Sequence, residues 1–360
     1  MTEEQFIPKS YSKTLESGRV TWESPSNIAL VKYWGKKKNQ IPENTSISFT
    51  LSHCKTITTV SYSPKSSDGF DFKVYLDGQE KGDFKPKIET FFKRVDTYLP
   101  FLKDYHFRIE TKNTFPHSSG IASSASGMSA LALCLMSIEQ VLSGVEMTDV
   151  YFNKKASFLA RLGSGSACRS IEGNLVVWGS HSAIQDSSDL FGVVYPYGVH
   201  QVFQNYQDTI LLVDKGEKLV SSTIGHNLMH GHPFAQKRFK QANSNIEKLI
   251  PILKNGELKA FIELVESEAL SLHAMMMTSL PYFILMKPNT LEIINRIWAF
   301  RKESGLNVGF TLDAGANVHV LYPENEKEHV LQFIKRELVA FCQNGQYICD
   351  QIGFGSKRFA

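Results

Sequence analysis

Alternation of polar and apolar residues predicts a series of strands in the first third of the chain. The alternating stretches, each with one buried face, are residues 20–22, 42–51, 56–62, 70–76 and 106–111. Asp77-Gly78 separates the fourth stretch from residues 79–84 and predicts a hairpin. The apolar run 28–31 predicts a fully buried element that ends at Lys32. A lysine in that position is costly unless it meets an anion, so we expect an acidic ligand or a carboxylate partner.

Helical spacing and shorter apolar runs describe the rest of the chain. The predicted helices are residues 85–99, 129–142, 148–162, 237–253, 257–278, 289–304 and 326–341. The predicted strands are residues 174–178, 209–213, 308–312 and 318–322. Residues 1–18 are polar and aperiodic and predict a loose N-terminal extension. Residues 179–208 carry few signals, and we expect a domain junction there.

A segment rich in small and hydroxylated residues, 116–128, lies between the strand 106–111 and the helix 129–142. Gly120 permits a tight turn against a ligand. Ser123, Ser124 and Ser126 lie where the first N–H groups of a helix lack intrahelical partners, which is an arrangement that binds phosphate. The alternative is a serine-capped turn that only starts a helix. The segment is not a P-loop, because no Gly-Lys-Ser/Thr follows the glycines.

Two further segments place a charged residue among small neighbours. Residues 163–170 contain Arg169, whose guanidinium among hydroxyls suits a carboxylate or a phosphate. The alternative is a flexible loop with a solvated arginine. Asp313 follows the strand 308–312 and precedes Ala314-Gly315, a position where catalytic carboxylates are often held. The alternative is a turn between two strands.

Composition describes an ordinary globular protein of 360 residues, with 42% hydrophobic and 21% charged residues. The net charge of +3 is dispersed, so the sequence gives no sign of nucleic-acid binding. We expect no membrane span and no signal peptide. Five scattered cysteines lack metal-ligand spacing and predict reduced thiols in a cytoplasmic enzyme. His226, His230 and His232 lack the spacing of a helical zinc site, so no metal site is predicted.

Several motifs together resemble the GHMP small-molecule kinase superfamily and, within it, the mevalonate diphosphate decarboxylases. Pro116-x-x-x-Gly120-Ile-x-Ser123-Ser124-Ala125 resembles the superfamily's ATP-phosphate motif. Five further segments resemble motifs of the decarboxylases: Asn27-Ile-Ala-x-x-Lys32-Tyr33-Trp34-Gly35-Lys36, Pro42-x-Asn44-x-Ser46-Ile-Ser48, Gly163-Ser-Gly-Ser166-Ala-Cys168-Arg169-Ser170, Ser221-Ser222-Thr223-x-Gly225 and Thr311-Leu-Asp313-Ala-Gly315-x-Asn317. The resemblance covers residues 20–345, and the motifs containing Lys32 and Arg169 are its most specific parts.

The resemblance implies an α+β fold of two domains with the active site in the cleft between them. Residues 1–18 would be the flexible extension, 19–205 the N-terminal domain with the ATP phosphate loop, and 206–360 a ferredoxin-like C-terminal domain. The resemblance also implies a homodimer that acts on small molecules. From composition we expect a cytoplasmic protein that binds neither nucleic acid nor membrane.

The activity implied by the resemblance is the ATP-dependent decarboxylation of mevalonate 5-diphosphate to isopentenyl diphosphate, with ADP, phosphate and CO2. Asp313 would orient or deprotonate the C3 hydroxyl, Arg169 would hold the C1 carboxylate, and Lys32 would lie near Asp313 and the transferred phosphoryl group. The residues implied to bind ATP, together with Mg²⁺, are Asn113, Gly120, Ser123, Ser124 and Ser126. Those implied to bind the acceptor substrate are Tyr33, Lys36, Ser164, Ser166, Arg169 and Ser222.

The sequence departs from the family pattern at three places, and the last of them, after Gly225, leaves the substrate's phosphorylation state open. Lys37-Lys38 replaces Arg-Asp, His117-Ser118-Ser119 replaces Thr-Ala-Ala, and His226 stands where the family has methionine. The open alternatives are a decarboxylase of mevalonate or its monophosphate, a 3-kinase, a kinase of another branch, and a catalytically silent ligand-binding relative.

Overall fold

The protein has an α+β fold built on two sheets. The computed structural model describes residues 1–116, 121–215 and 222–359, without the side chains at 222 and 223. Within these ranges the strands are β1 Gly18–Val31, β2 Ser46–Pro64, β3 Asp71–Leu76, β4 Gln79–Glu80, β5 Tyr105–Asn113, β6 Leu175–Trp178, β7 Val193–Val194, β8 Gln207–Leu211, β9 Gly309–Thr311, β10 Val318–Tyr322, β11 Tyr347–Gln351 and β12 Lys357–Phe359. The helices are α1 Lys85–Val95, α2 Ser123–Ser143, α3 Asp149–Gly163, α4 Ser222–Asn227, α5 Ala235–Asn255, α6 Leu258–Met277, α7 Pro288–Ser304 and α8 Lys327–Phe333.

The first sheet has the order β12-β1-β2-β5-β3-β4, and β6 and β7 extend from β2. Two of its strands are longer than the alternation predicts. Residues 20–22 and 28–31 belong to one strand, β1, whose register against β2 shifts between Pro25 and Asn27. Complete burial of the strand begins just before this shift, at Ser24. The predicted hairpin at Asp77-Gly78 is confirmed, with both residues at positive φ (49° and 80°).

Helix α2 runs through the core of the first half of the chain. It follows Ala122, which has left-handed backbone angles (φ 47°), and it packs against β1, β2 and α3. Among the described residues, this one helix is long and apolar enough to cross a membrane, but 83% of its apolar window is buried inside the protein. Its apolar character therefore fits a central core helix.

The second sheet has the order β11-β8-β10-β9 and is antiparallel. Helices α5 and α6 pack against each other, and α6 and α7 contact β9. The predicted helix 326–341 is irregular, because α8 continues as a π-helical turn at Ile334–Leu338. Asp313 follows β9, so this sheet positions the carboxylate.

At both ends of the chain, the packing differs from the predicted division into an N-terminal extension and two domains. The prediction that residues 1–18 form a loose extension is wrong at Phe6, because this side chain is fully buried and stacks on Phe158. Near the other end, β12 pairs with β1, which places Arg358 opposite Trp22 in the first sheet. These long-range contacts leave no periodic signal in the local sequence. The division near residue 205 stays a prediction.

Candidate active site

A cavity of about 920 Å³ contains most of the predicted site residues. Its walls come from the end of β1, from α1, from the start of α2, from residues 163–169 and from the turn after β9. Among the described residues, the charged lining consists of Lys32, Lys36, Lys81, Lys87, Arg94, Arg169, Asp83 and Asp313. Six cations against two carboxylates favour a ligand with several negative charges.

Lys32 and Asp313 form an ion pair in this cavity, with 3.1 Å between Nζ and Oδ1. The Lys32 side chain is 2% exposed and the Asp313 side chain is 28% exposed. The predicted proximity of the two residues is therefore confirmed. The buried ammonium has the anion that its burial requires, and the carboxylate remains accessible from the cavity.

A buried polar network fixes the backbone of Lys32. Its N–H donates to Oε2 of Glu268 at 2.9 Å, and its carbonyl accepts from Nδ2 of Asn44 at 3.0 Å. Glu268 also accepts from Nη1 of Arg238 at 3.0 Å and from Nδ2 of Asn245 at 2.6 Å. Since both oxygens of Glu268 are satisfied, its charge is tolerated at full burial.

The backbone of Asp313 is held by the same helix, α6. The Asp313 carbonyl lies 3.1 Å from Nε2 of His273 and accepts from the N–H of Gly315 at 2.7 Å. Because a carbonyl can only accept, His273 carries its proton on Nε2. Burial lowers the pKa of His273 to about 4, against a smaller opposing effect of this hydrogen bond. Helix α6 thus positions both Lys32, through Glu268, and Asp313, through His273.

Arg169 is buried at the cavity wall, so the alternative of a flexible loop with a solvated arginine is wrong. Residues Gly165–Ser170 form a 3-10 helix. Nε of Arg169 donates to Oγ of Ser48 at 2.9 Å, and Nη1 donates to Oγ of Ser46 at 2.7 Å. Burial lowers the pKa of the guanidinium. In the described part of the chain no carboxylate forms an ion pair with Arg169, so it can accept an anionic ligand.

The start of α2 contributes Ser123 and Ser124 to the cavity. Oγ of Ser124 lies 3.4 Å from Oγ of Ser164, which joins this segment to residues 163–170. Ser126 instead lies behind the wall, buried and 2.6 Å from Oγ1 of Thr56. Thr56 in turn donates to Oδ1 of Asn113, which lines the cavity.

Most of the predicted acceptor-binding residues line the same cavity. Tyr33, Lys36, Ser164 and Ser166 all line the cavity. Burial lowers the pKa of Lys36, and Arg94 adds to this effect. Two predicted site residues cannot be placed: Gly120 lies outside the described residues, and so does the side chain of Ser222, whose backbone begins α4.

Sequence reasoning assigned no role to several residues that build this site. They are Ser46 and Ser48 under Arg169, Glu268 and His273 behind the ion pair, and His226 at the cavity wall. Two serines that are separated by one apolar residue on a strand lie on the same face of the sheet. This spacing could have indicated that Ser46 and Ser48 act together. Glu268 and His273 lie on α6, remote in sequence, where the local pattern is that of a core helix. His226 gave only a departure from the family pattern.

Family models match most of the chain in two parts. Residues 24–189 match the diphosphomevalonate decarboxylase-like N-terminal domain, and residues 209–353 match the mevalonate 5-diphosphate decarboxylase C-terminal domain. The diphosphomevalonate decarboxylase of Debaryomyces hansenii is 30% identical over 333 residues, which cover 86% of this chain and 81% of that protein.

Solved structures agree with the family models. The mevalonate diphosphate decarboxylase from Enterococcus faecalis, studied for mevalonate diphosphate mediated ATP binding, superposes with a TM-score of 0.79 at 26% identity, covering 95% of this chain and 99% of that one. A structure of MDDEF in complex with MVAPP, AMPPCP and magnesium gives a TM-score of 0.81 at 27% identity, with the same coverage. The chain belongs to the diphosphomevalonate decarboxylase family.

Proposed function

We propose that this protein decarboxylates mevalonate 5-diphosphate, using ATP, to isopentenyl diphosphate, ADP, phosphate and CO2. The observation that carries the proposal is the Lys32–Asp313 pair in the same cation-rich cavity as a buried Arg169 that has no carboxylate ion partner among the described residues. Family membership supports the same reaction.

The chemical difficulty is that a tertiary C3 hydroxyl is a poor leaving group. Asp313 orients this hydroxyl and accepts its proton as the oxygen attacks the γ-phosphorus of ATP, and ADP leaves. Lys32 keeps the carboxylate in place and offsets the negative charge that develops on the transferred phosphoryl group. Phosphate then departs from C3, which becomes cationic.

Loss of CO2 completes the reaction. Arg169 holds the C1 carboxylate with its planar guanidinium, oriented by Ser46 and Ser48. The electrons of the C1–C2 bond form the alkene between C2 and C3 as CO2 leaves. A pure kinase has less need of such a carboxylate clamp, so Arg169 favours decarboxylation over 3-phosphorylation alone.

The ATP phosphates bind at the start of α2. Ser123 and Ser124 supply hydroxyl and backbone N–H donors at the positive end of the helix dipole. Asn113 lies on the neighbouring strand, Ser126 supports it through Thr56, and Gly120 belongs to the same motif. Tyr33, Lys36, Ser164, Ser166 and Ser222 hold the acceptor substrate.

Mg²⁺ enters with ATP as part of the substrate and neutralises phosphate charge. Within the described ranges, no three His, Cys, Asp or Glu side chains cluster as a metal cage. Mg²⁺ would be held mostly by phosphate oxygens and water, and the hydroxyls of Ser123 and Ser124 are suitable hard oxygen ligands.

On the basis of the family, we also propose that the protein is a cytoplasmic homodimer. Each chain would divide into two domains near residue 205. A related reaction on mevalonate 5-phosphate is the second candidate, because His226 lies in the cavity wall and in the segment that departs from the family pattern. Mass spectrometry of products from mevalonate 5-diphosphate and Mg²⁺-ATP tests the main proposal. We expect isopentenyl diphosphate only when ATP is present, and its absence in both conditions would refute the proposal.

A further inference from the structure

His226 presents one N–H group at the cavity wall that has no hydrogen-bond partner among the described residues. The side chain is 7% exposed and lies near the end of α4. Its Nδ1 accepts the backbone N–H of Gly35 at 3.0 Å, so the neutral ring carries its proton on Nε2. Within residues 1–116, 121–215 and 222–359, Nε2 forms no hydrogen bond, and the ring lines the cavity.

Packing fixes the orientation of this ring. The ring centroid of His226 is 4.1 Å from that of Tyr33 and 4.8 Å from that of Trp34. A Cβ at Gly225 would lie 2.5 Å from the Trp34 ring, so glycine at this position allows α4 to approach closely. The imidazole is therefore held with Nδ1 toward the Gly35 backbone, and Nε2 is its remaining polar atom.

The surroundings of His226 keep the imidazole neutral and attract anions. Burial lowers its pKa to about 3, and the charges of Lys36 and Arg169 act in the same direction. A neutral donor adds no repulsion between these two cations. A ligand oxygen that accepts from Nε2 would also lie in the field of Lys36.

We propose that His226 is a substrate-binding residue whose Nε2–H donates to a phosphate oxygen of the acceptor substrate beside Lys36. This inference rests on the proposed function, in which Asp313 takes the C3 hydroxyl and Arg169 takes the C1 carboxylate. The phosphate end then remains for the cavity wall formed by Tyr33, Lys36 and His226.

Two substitutions separate the donor from the packing role. In His226→Asn, Oδ1 can still accept from Gly35, but no donor reaches the Nε2 position. In His226→Gln, the longer amide restores a donor there. Isothermal titration measures the dissociation constants of mevalonate 5-diphosphate, of mevalonate and of a non-hydrolysable ATP analogue, with melting temperatures as a folding check.

We expect His226→Asn to weaken binding of mevalonate 5-diphosphate by about ten- to a hundredfold, because a hydrogen bond to a charged group is lost. The Gln variant should recover most of this loss, and binding of mevalonate and of the ATP analogue should not change. Unchanged binding of the diphosphate in the Asn variant, or an equal loss for mevalonate, would overturn the inference. If only the inference about His226 fails, the wild-type protein still releases CO2 from mevalonate 5-diphosphate. If the proposed function fails, the wild-type protein releases no CO2.

Discussion

The Nζ atom of Lys32 lies 3.1 Å from Oδ1 of Asp313, although 281 positions separate the two residues in the chain. One helix, α6, aligns both. Glu268 accepts the N–H of Lys32, and His273, which lies further along the same helix, contacts the carbonyl of Asp313. Backbone contacts to a single rigid element thus position both members of the Lys32–Asp313 pair, which favours precise geometry.

Asp313→Asn tests the proposed catalytic role of the Asp313 carboxylate. The substitution keeps the size of the side chain and removes its basicity, so we expect kcat to fall by about 10²–10⁴-fold. Binding of a non-hydrolysable ATP analogue should remain unchanged. Steady-state kinetics and analogue titration measure the two effects, and near-normal turnover in a folded variant would remove Asp313 from the mechanism.

Arg169→Lys tests the planar donor face. A lysine keeps the charge but cannot contact Ser46 and Ser48 and a carboxylate together, so kcat/KM should fall by about a hundredfold. Ser48→Ala is the matched control, because it removes one anchor and keeps the guanidinium, and its loss should be much smaller. If the melting temperature of the Lys variant falls as steeply as its activity, the role of Arg169 is structural.

Glu268→Gln tests the network beneath Lys32. The substitution leaves the buried Arg238 without its counter-charge, and we expect a loss of about 3–5 kcal/mol in the free energy of unfolding. Glu263→Gln changes an exposed glutamate on the same helix and should shift this free energy by less than about 0.5 kcal/mol. Chemical denaturation compares the two, and similar values would contradict the network's importance.

The lowered pKa values of His226 and His273 predict that the protein loses stability in acid. Burial is the main cause of both lowered pKa values, about 3 and about 4. Below about pH 6.5 the unfolded chain binds protons at these positions and the native state does not, so the free energy of unfolding falls as pH decreases toward 4. The steepest contribution is about 1.4 kcal/mol per pH unit for each histidine.

His273→Gln measures that contribution, because glutamine can still donate to the Asp313 carbonyl but does not titrate. We expect a shallower decline of stability between pH 6.5 and 4 by urea denaturation, whereas substitution of the exposed His230 by Gln should leave the slope unchanged. Equal slopes for wild type and His273→Gln would show that His273 is not held neutral.

Local patterns predict the parts of the site in which charge and small residues are adjacent in sequence. Lys32 at the end of an apolar run requires an anion, and Asp313 is that anion. The orientation of the Arg169 guanidinium depends on hydrogen bonds to Ser46 and Ser48, which lie more than a hundred residues earlier. No local sequence pattern indicates that these residues pair. Contacts of this kind form only when the sheet brings β2 beside residues 165–170.

Periodicity likewise predicts the helices well and the chain ends poorly. Phe6 is one apolar residue in a polar stretch, and its burial depends on a pocket made by Phe158 and Phe191. Strand β12 is exposed and three residues long, and its place in the first sheet depends on pairing with β1. Neither feature has a repeating pattern that a sequence window can detect.

The most direct test of the proposed reaction counts ADP and CO2 in parallel for mevalonate, its 5-phosphate and its 5-diphosphate, each with Mg²⁺-ATP. We predict equal amounts of ADP and CO2 with the 5-diphosphate, and little of either with the other two. Equal amounts from the 5-phosphate alone would move the substrate assignment. ADP without CO2 would contradict the decarboxylation, and no ADP from any of the three would contradict the enzymatic claim itself.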